Sequence, residues 1–325
     1  MLDTQALNKL SKEKNLLAFS AGIDSSALFF LLVHAKIDFD LAIVNYHTRQ
    51  SSDAEVAYAQ KLASEYNKKL FIHDATLDPS AYEANARKIR YYFFDGIIRE
   101  YHYTMLLTAH QLNDQLEWFL MQFSKGAGTL ELLGMKTFIQ REHYTVCRPL
   151  LQQSKDDLLH FLKENKYHYF VDASNEDEKF KRNFIRHNFS DKFLSLYKEG
   201  VQKSFTYLQE DEALILGEYE VKQIQELILI HTPLKRTQLY LIDKALKRLG
   251  YILSASQREE IKLESSLVIG GKYAIESLED CVYIAPIIEE PPSMPKVFKE
   301  ACRVAKVPLK IRAFLFDRGI AIDQL

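Results

Sequence analysis

The chain has 325 residues, with 42 Lys and Arg against 44 Asp and Glu, a formal net charge of −2 and 47% hydrophobic residues. This length predicts two or three domains and excludes a mini-protein that needs disulfides or metals to fold. The near-neutral charge argues against a protein that is basic throughout, but leaves a local basic patch open. The three cysteines include no C-x-x-C pair, which is typical of a reducing compartment. A polar N-terminus and the lack of a long apolar run predict a cytoplasmic protein with no membrane span.

The first part of the chain alternates between predicted strands and predicted helices. Short apolar runs predict strands at residues 16–20, 41–46, 69–72 and 104–108. Helical spacing predicts helices at residues 26–33, 53–65, 81–100 and 113–123. Alternation of this kind is typical of βαβ units, so the predicted class is α/β, a parallel sheet with helices on both faces.

The pattern changes after residue 200. Residues 205–230 and 236–264 have helical character and few turn signals, which predicts a helical connector over 201–264 after a first domain at 1–200. Short strands are predicted at 267–269, 273–275 and 282–285, with Gly270 and Gly271 as a hairpin turn. A small α+β module is therefore predicted over 265–325.

A loop of small polar residues follows the first predicted strand. It consists of Ser20, Ala21, Gly22, Ile23, Asp24, Ser25 and Ser26. Backbone N–H groups and hydroxyls at the start of a helix bind phosphate, and a carboxylate there suits a magnesium ion carried by the phosphates. Walker A and dinucleotide motifs are absent from the sequence. The alternative is a serine-rich turn with an aspartate cap.

This loop resembles the S-G-G-x-D-S loop of the N-type ATP pyrophosphatases, with Ala21 in place of the first glycine. Five further segments, in order, are similar to those of the tRNA(Ile)-lysidine synthetases, and the resemblance covers residues 15–190. Tyr46 and Asn113 depart from the family's His and Asp. The segments are V-N-Y-H-T-R at 44–49 with S-D-A-E at 52–55, E-A-N-A-R-K-I-R-Y at 83–91, T-A-H-Q-L-N-D-Q-L-E at 108–117, K-G-A-G at 125–128 with L-G-M at 133–135, and R-P-L-L at 148–151 with D-A-S-N at 172–175 and R-N-F-I-R at 182–186.

The resemblance implies a PP-loop ATPase domain with a Rossmann-like sheet. It implies an enzyme that uses ATP and Mg²⁺ to join free L-lysine to the wobble cytidine of an isoleucine tRNA with a CAU anticodon. The O2 oxygen of the cytidine is adenylated first, and the lysine amine then attacks carbon 2 and expels AMP. Residues 20–26 would bind ATP, and Asp24 would hold Mg²⁺ through the phosphates.

Two carboxylates and a histidine are the candidates for binding lysine and removing its proton. Asp114 and Glu117 lie three residues apart on one face of a predicted helix, and His110 follows a predicted strand. Arg148 is a candidate for the lysine carboxylate or the nucleotide. The alternatives are a solvated helix face or a cap for the acidic pair, an ordinary loop histidine, and a structural ion pair for Arg148.

Basic residues supply the candidate tRNA contacts. Lys179, Lys181 and Lys192 belong to a basic cluster in which Asp191 is the only acid, and a solvated charge run is the alternative. The oligomeric state stays open, a homodimer included. The candidate tRNA contacts are Arg87, Arg90, Arg182, Asn183, Arg186, Lys306, Lys310 and Arg312.

The residues disfavour three other functions. Many tRNA thiolases use paired cysteines, and Cys147, Cys281 and Cys302 form no such pair in the sequence. A non-catalytic RNA- or nucleotide-binding module would not need Asp24 or the acidic pair. A glutamine-fed synthetase would need a nucleophilic cysteine near the N-terminus, and this chain begins without one.

Overall fold

The computed structural model describes residues 2–47, 52–76, 82–171 and 181–325. It divides the chain into two compact units, Met1–Thr206 and Tyr207–Leu325. Residues 207–264 and 265–325 therefore belong to one unit, where the sequence predicts a connector and a separate module. Thr48, Arg49, Lys179 and the 172–175 segment lie outside the described residues.

The first unit contains a six-stranded sheet and the helices around it. Its strands are β1 (Asn15–Ala18), β2 (Phe39–Asn45), β3 (Leu70–Asp74), β4 (Met105–Leu107), β5 (Phe138–Gln140) and β6 (Thr145–Cys147). Its helices are α1 (Thr4–Leu10), α2 (Ile23–His34), α3 (Ser52–Glu65), α4 (Tyr82–Tyr101), α5 (Leu112–Phe123), α6 (Thr129–Leu132), α7 (Lys155–Glu164), α8 (Lys181–Ile185), a π-helical turn at Arg186–Ser190, and α9 (Asp191–Leu216), which runs into the second unit.

The strand order is β3-β2-β1-β4-β6-β5, and all pairs are parallel except the edge pair β5–β6. Adjacent residues of β1 point to opposite faces: Leu17 packs with Leu28 in the cluster that includes α2, and Leu16 packs with Ile98 of α4. The predicted parallel sheet with helices on both faces is confirmed. All four predicted strands and all four predicted helices of this region are found.

The reversal of strand order at β1 and β4 decides where the site lies. The loops that leave the carboxyl ends of these two neighbouring strands diverge, which opens a crevice at that edge of the sheet. The loop after β1 carries Ser20, and the loop after β4 carries His110. The fold therefore brings the phosphate-loop candidate and the T-A-H segment to one edge.

The second unit is a five-stranded antiparallel sheet with helices on both faces. Its order is β7-β8-β11-β10-β9. The strands are β7 (Glu220–Ile224), β8 (Leu227–His231), β9 (Ser266–Ile269), β10 (Tyr273–Leu278) and β11 (Cys281–Pro286). The helices are α10 (Lys235–Arg248), α11 (Ala255–Leu263), α12 (Lys296–Val304) and α13 (Leu309–Asp317), followed by a 3₁₀ turn at Ile322–Gln324.

The predicted helix over 205–230 is wrong in its second half, where β7 and β8 form a hairpin. The run of apolar residues in β8 is buried on both faces: Leu229 packs in one core and Ile230 in the other. Periodicity alone does not separate such a strand from a buried helix. The predicted helix over 236–264 is two helices, α10 and α11. The chain turns between them at Gly250, whose φ is 81°.

The three strands predicted after residue 264 are confirmed as β9, β10 and β11. Gly270 and Gly271 have φ values of 57° and 66°, the conformation that a tight hairpin turn needs and that glycine adopts without strain. None of the helices in the described ranges combines the length and the hydrophobicity of a bilayer-spanning helix.

Asn113 joins three elements of the first unit beside the crevice. Its side-chain amide donates to Asp191 Oδ1 at 2.7 Å, and its amide oxygen accepts from the Lys155 N–H at 3.1 Å. The Ser190 hydroxyl donates to the Asn113 carbonyl at 3.3 Å. Asparagine can make both side-chain bonds because it carries a donor and an acceptor. Asn113 thus ties α5 to the start of α9 through Asp191 and to the start of α7 through the Lys155 N–H.

An amide–carboxylate exchange tests this tie. Asn113→Asp places two carboxylates against each other, so we expect the free energy of unfolding to fall by about 1–3 kcal/mol. The double variant N113D/D191N restores one donor and one acceptor, so its thermal midpoint should return towards the wild-type value. Thermal denaturation of the wild type, both single variants and the double variant measures this. Equal stability of N113D and the wild type would contradict the assignment.

Candidate active site

The phosphate-loop candidate is held in place before any ligand binds. The Ser20 N–H donates to Ser25 Oγ at 3.2 Å, and the Ser25 hydroxyl donates to the Gly22 carbonyl at 3.2 Å. The Phe170 N–H donates to the Ala21 carbonyl at 2.9 Å. Gly22 is the N-cap of α2 and supplies no side-chain acceptor, so the first N–H groups of that helix keep their capacity for an anion.

The substitution at Ala21 has a structural cost. Its φ is 56°, in the left-handed region where an L-residue with a Cβ costs about 1 kcal/mol more than glycine. Ala21 and Ser26 are also fully buried. Their side chains therefore do not line the crevice, and in the predicted ATP-binding set this role falls to Ser20, Gly22 and residues 23–25.

Asp24 lies in the first turn of α2 and faces the same crevice. Its Oδ1 atom is buried and has no hydrogen-bond partner among the described residues. Burial raises the pKa of Asp24 to about 7, and the nearby charge of Asp114 adds to this increase. A buried carboxylate oxygen without a hydrogen-bond partner is free to coordinate a cation. Cation binding is the role that the sequence predicts for Asp24.

Asp114 caps a helix, which is the structural alternative for this residue, and it also lines the crevice. Its Oδ2 atom accepts from the Gln111 N–H at 2.9 Å, which completes a capping box at the start of α5. Its Oδ1 atom accepts from a terminal nitrogen of Arg182. The cap fixes the rotamer of Asp114, and the residue lines the crevice.

Glu117 lies one turn further along α5 and is 0% exposed. Arg182 Nε donates to Glu117 Oε2 at 2.7 Å, and Arg186 Nε donates to Glu117 Oε1 at 2.7 Å. Although burial lowers the pKa of each guanidinium, the charges of Asp114 and Glu117 raise it overall. These four residues, called the charge quartet below, contain two carboxylates and two guanidinium groups and are neutral as a set.

Arg182 and Arg186 differ from their predicted position on an exposed basic surface. Both turn inward to the quartet, and both line the crevice. Asn183 is buried, so the structure does not place it on the surface that a direct tRNA contact needs. Of the predicted cluster at 179–192, Lys181 and Lys192 are the exposed lysines among the described residues.

His110 lines the crevice, and its Nδ1 lies 3.0 Å from Thr108 Oγ1. Burial lowers the pKa of His110 to about 3, and the positive charges of Arg148 and Arg182 lower it further. A group with such a low pKa is a poor base for an ammonium whose pKa is about 10.4. In this state His110 is therefore a neutral hydrogen-bonding group, which argues against its predicted role as general base.

Arg148 is buried at the end of β6, beside the crevice rather than in its wall. Its Nη1 donates to the Lys136 carbonyl at 2.9 Å, and its Nε has no hydrogen-bond partner among the described residues. Arg148 is therefore held by a hydrogen bond to the backbone rather than by the ion pair that is its structural alternative. Because Arg148 does not line the crevice, a contact with lysine has no support from the geometry.

The crevice has a volume of about 600 Å³. Arg87 and Arg90 line one side of it, and the guanidinium carbon of Arg87 lies 4.8 Å from the ring centre of Tyr91. Lys155, the first residue of α7, also lines it and lowers the pKa of Asp24. Lys155 is not among the residues predicted for the site, although it directly follows Ser154, a helix cap shortly after the R-P-L-L segment.

The three candidate tRNA contacts of the second unit differ in their surroundings. Lys310 Nζ donates to Ser266 Oγ at 2.8 Å and lies 3.4 Å from Glu276 Oε1. Arg312 Nε donates to the Val307 carbonyl at 2.9 Å. Lys306 is exposed, and its Nζ is 3.9 Å from the exposed Glu279. Lys306 therefore has the most accessible charge of the three.

Comparisons with known proteins agree with this geometry. Residues 3–193 match the family model of the PP-loop domain. The tRNA(Ile)-lysidine synthase of Campylobacter jejuni strain RM1221 is 46% identical over 99% of this chain and 98% of its own length. That of Helicobacter pylori strain 26695 is 42% identical over 95% and 91%, and that of Wolinella succinogenes is 39% identical over 98% of both chains.

A solved structure shares the fold at low sequence identity. The U34-tRNA thiolase NcsA from Methanococcus maripaludis has a TM-score of 0.52 and 18% identity, over 63% of this chain and 77% of its own. This likeness supports the fold alone. The phosphate loop, the acidic pair on α5 and the near-full-length relatives together show that the chain belongs to the tRNA(Ile)-lysidine synthase family of PP-loop enzymes.

Proposed function

We propose that this enzyme joins free L-lysine to carbon 2 of the wobble cytidine in a CAU-anticodon isoleucine tRNA and releases AMP and pyrophosphate. The observation that carries the proposal is that the phosphate loop and three members of the charge quartet, Asp114, Arg182 and Arg186, line one crevice. A ligase that activates one substrate with ATP and then adds an amine needs both sites within reach of the same atom.

In the first step, the O2 oxygen of the cytidine attacks the α-phosphorus of ATP, and pyrophosphate leaves. Negative charge on the phosphates is stabilised by N–H groups of the loop and of the start of α2, by the Ser20 hydroxyl and by Lys155. Arg87 and Arg90 supply further positive charge along the wall of the crevice. These groups are fixed by the fold, so they need little reorganisation during the reaction.

Asp24 is the residue that we propose to hold Mg²⁺. Its buried Oδ1, unpartnered among the described residues, is suited to a hard cation that prefers oxygen ligands. The ion, when bound, neutralises phosphate charge during adenylation. Asp24 must be ionised for this role, so binding of the metal–nucleotide pair should release a proton near neutral pH.

Lysine is proposed to bind at the charge quartet by its α-amino and carboxylate groups. A neutral set of two carboxylates and two guanidinium groups can pair with both ends of a zwitterion without leaving a net buried charge. Asp114, Arg182 and Arg186 all line the crevice, which supports Asp114 as the acceptor for the α-ammonium and the two arginines as donors to the carboxylate. The ε-amine then remains free to attack the activated carbon 2.

The thiolase alternative is disfavoured by the cysteines. Cys147 is buried at the end of β6, and burial raises the pKa of its thiol to about 12. A thiol with such a high pKa is a poor sulfur nucleophile at neutral pH. Cys281 and Cys302 belong to the second unit. Cys147 is the only cysteine in the sequence of the first unit, so the unit that forms the crevice contains no cysteine pair.

Product analysis tests the proposed activity. The enzyme is incubated with ATP, Mg²⁺, radiolabelled lysine and an isoleucine tRNA transcript with a CAU anticodon, and the transcript is digested to nucleosides. We expect label in the wobble nucleoside and none with a UAU transcript. A CAU transcript that acquires no label, in a preparation that binds ATP and tRNA, would overturn the proposal.

Asp114→Asn separates the two chemical steps. Asparagine can still accept from the Gln111 N–H and cap α5, but it cannot bind an ammonium by charge. We expect lysine transfer to fall roughly 100-fold or more while adenylated tRNA, labelled from α-³²P ATP, accumulates. Asp157→Asn is the matched control, because Asp157 completes the equivalent capping box of α7. Equal loss of lysine transfer in both variants would contradict the role of Asp114.

Asp24→Asn should uncouple stability from activity. The pKa of Asp24 is about 7 in the folded protein against an ordinary value of 3.8, so its ionisation destabilises the fold as pH rises through this range. We expect the ligand-free variant to be more stable than the wild type by on the order of 2 kcal/mol at pH 8, with no gain at pH 4. Adenylation should be lost. A pH-independent stability difference in urea unfolding would contradict the burial of this charge.

The contribution of the second unit to tRNA binding stays a proposal, with Lys306 as the principal candidate and Lys310 and Arg312 as weaker ones. Lys306→Ala should lower tRNA affinity and reduce the salt dependence of binding by about one phosphate contact. An unchanged salt slope in a filter-binding titration would remove Lys306 from the interface.

A further inference from the structure

Four aromatic rings lie exposed along the segment that carries the arginines of the quartet. This aromatic strip consists of Phe184, Phe189, Phe193 and Tyr197, whose exposed fractions are 45%, 51%, 48% and 56%. The ring centres of Phe184 and Phe189 are 5.9 Å apart, and those of Phe193 and Tyr197 are 5.0 Å apart. Exposed apolar side chains that cluster on one surface, rather than lying singly, mark interaction sites.

The π-helical turn Arg186–Ser190 explains how the strip forms. In an α-helix, residue 184 would have residue 188 as its neighbour one turn on. The wider π turn brings Phe189, five residues away, beside Phe184. From there the strip continues with a spacing of four residues to Phe193 and then to Tyr197. Turns of this kind occur frequently at functional sites.

The segment that carries the aromatic strip is also bonded to α5 at the active site. Arg182 and Arg186 bond to Glu117, and the Ser190 hydroxyl donates to the Asn113 carbonyl. Arg186 and His187 line the crevice. The aromatic strip is therefore carried by the segment whose inner side helps to build the site.

The charge around the strip selects an anionic partner. Lys181 and Lys192 are exposed at its flanks. From residue 181 to residue 198 the only acid in the sequence is Asp191, and its carboxylate accepts the Asn113 amide. Exposed rings flanked by lysines are the arrangement that binds single-stranded nucleic acid, because bases stack on the rings and phosphates pair with the cations.

We infer that the aromatic strip binds the unpaired bases of an RNA loop by stacking, and that this contact holds the loop while one base enters the crevice. The inference rests on the proposed function and deepens it, since it assigns loop binding to four residues outside the catalytic groups. A second copy of this chain would cover the rings but would find no acid to pair with Lys181 and Lys192 on the strip itself.

Binding of a short RNA hairpin with a CAU loop tests the inference, in the absence of ATP and lysine. We expect Phe189→Ala and Phe193→Ala each to weaken binding roughly tenfold, with the salt slope unchanged, because stacking displaces no counterions. Lys192→Ala should instead lower the salt slope by about 0.7. Phe189→Leu, which keeps the apolar contact without the ring, should behave like Phe189→Ala.

A hairpin with abasic loop positions separates stacking from general damage. It should bind the wild type weakly and should no longer distinguish the wild type from Phe189→Ala. Tyr92→Ala removes a ring that is also exposed, but that lies on α4 outside the strip, and should leave affinity unchanged. Thermal denaturation checks that each variant is folded.

Two results would overturn the inference. One is an unchanged affinity of the Phe189 and Phe193 variants for the CAU hairpin. The other is a concentration-dependent dimer in sedimentation that these variants abolish while RNA binding persists, which would assign the strip to self-association. Neither result depends on lysine incorporation, so failure of this inference and failure of the proposed activity are distinguishable.

Discussion

The ion pairs of Glu117 with Arg182 and Arg186 are the interaction on which the site depends. Glu117 has no exposed surface, so its charge is tolerated only because two guanidinium groups donate to its oxygens. Removing one partner from such a buried pair costs about 3–5 kcal/mol. The pairs join α5 to a segment more than sixty residues away along the chain. They thereby fix the wall of the crevice that carries both Asp114 and the arginines.

The same arrangement sets the chemistry of the other groups. Its Arg182 contributes to the low pKa of His110, and its Asp114 contributes to the high pKa of Asp24. The site therefore holds a neutral imidazole and a carboxyl group that ionises near neutral pH. Such opposite shifts are common where burial and fixed charges tune groups for catalysis. Because the quartet is neutral as a set, a zwitterionic amino acid suits it better than a simple cation would.

Much of this site could be predicted from the sequence. The strand–loop–helix order around Gly22 indicates the phosphate loop, and the spacing of Asp114 and Glu117 indicates a shared helix face. The resemblance of six segments, in the same order as in the family, indicated the family itself. The sequence could not predict the orientation of the Arg182 and Arg186 side chains, which could turn outward to RNA or inward to Glu117. That depends on long-range packing, for which local spacing carries no information.

The fold of the second unit shows a different limit. A continuous apolar run such as β8 is compatible with a buried helix or a strand buried on both faces, and only the partner strands settle the choice. Likewise, the hydrophobic periodicity does not predict the π turn that aligns Phe184 with Phe189. This turn holds one residue more than an α-helical turn, and only the backbone conformation shows it. The sequence was most informative where function restricts the residue type. It was least informative where long-range packing decides the type of element or the orientation of a side chain.

The affinity of the wild-type enzyme for lysine and for cadaverine, which is lysine without its carboxylate, tests the central claim most directly. If Arg182 and Arg186 bind the carboxylate, isothermal titration should show cadaverine binding at least about tenfold more weakly, a difference of ~1.4 kcal/mol. Equal affinities for lysine and cadaverine would contradict the account, because the guanidinium groups would then serve only to neutralise Asp114 and Glu117.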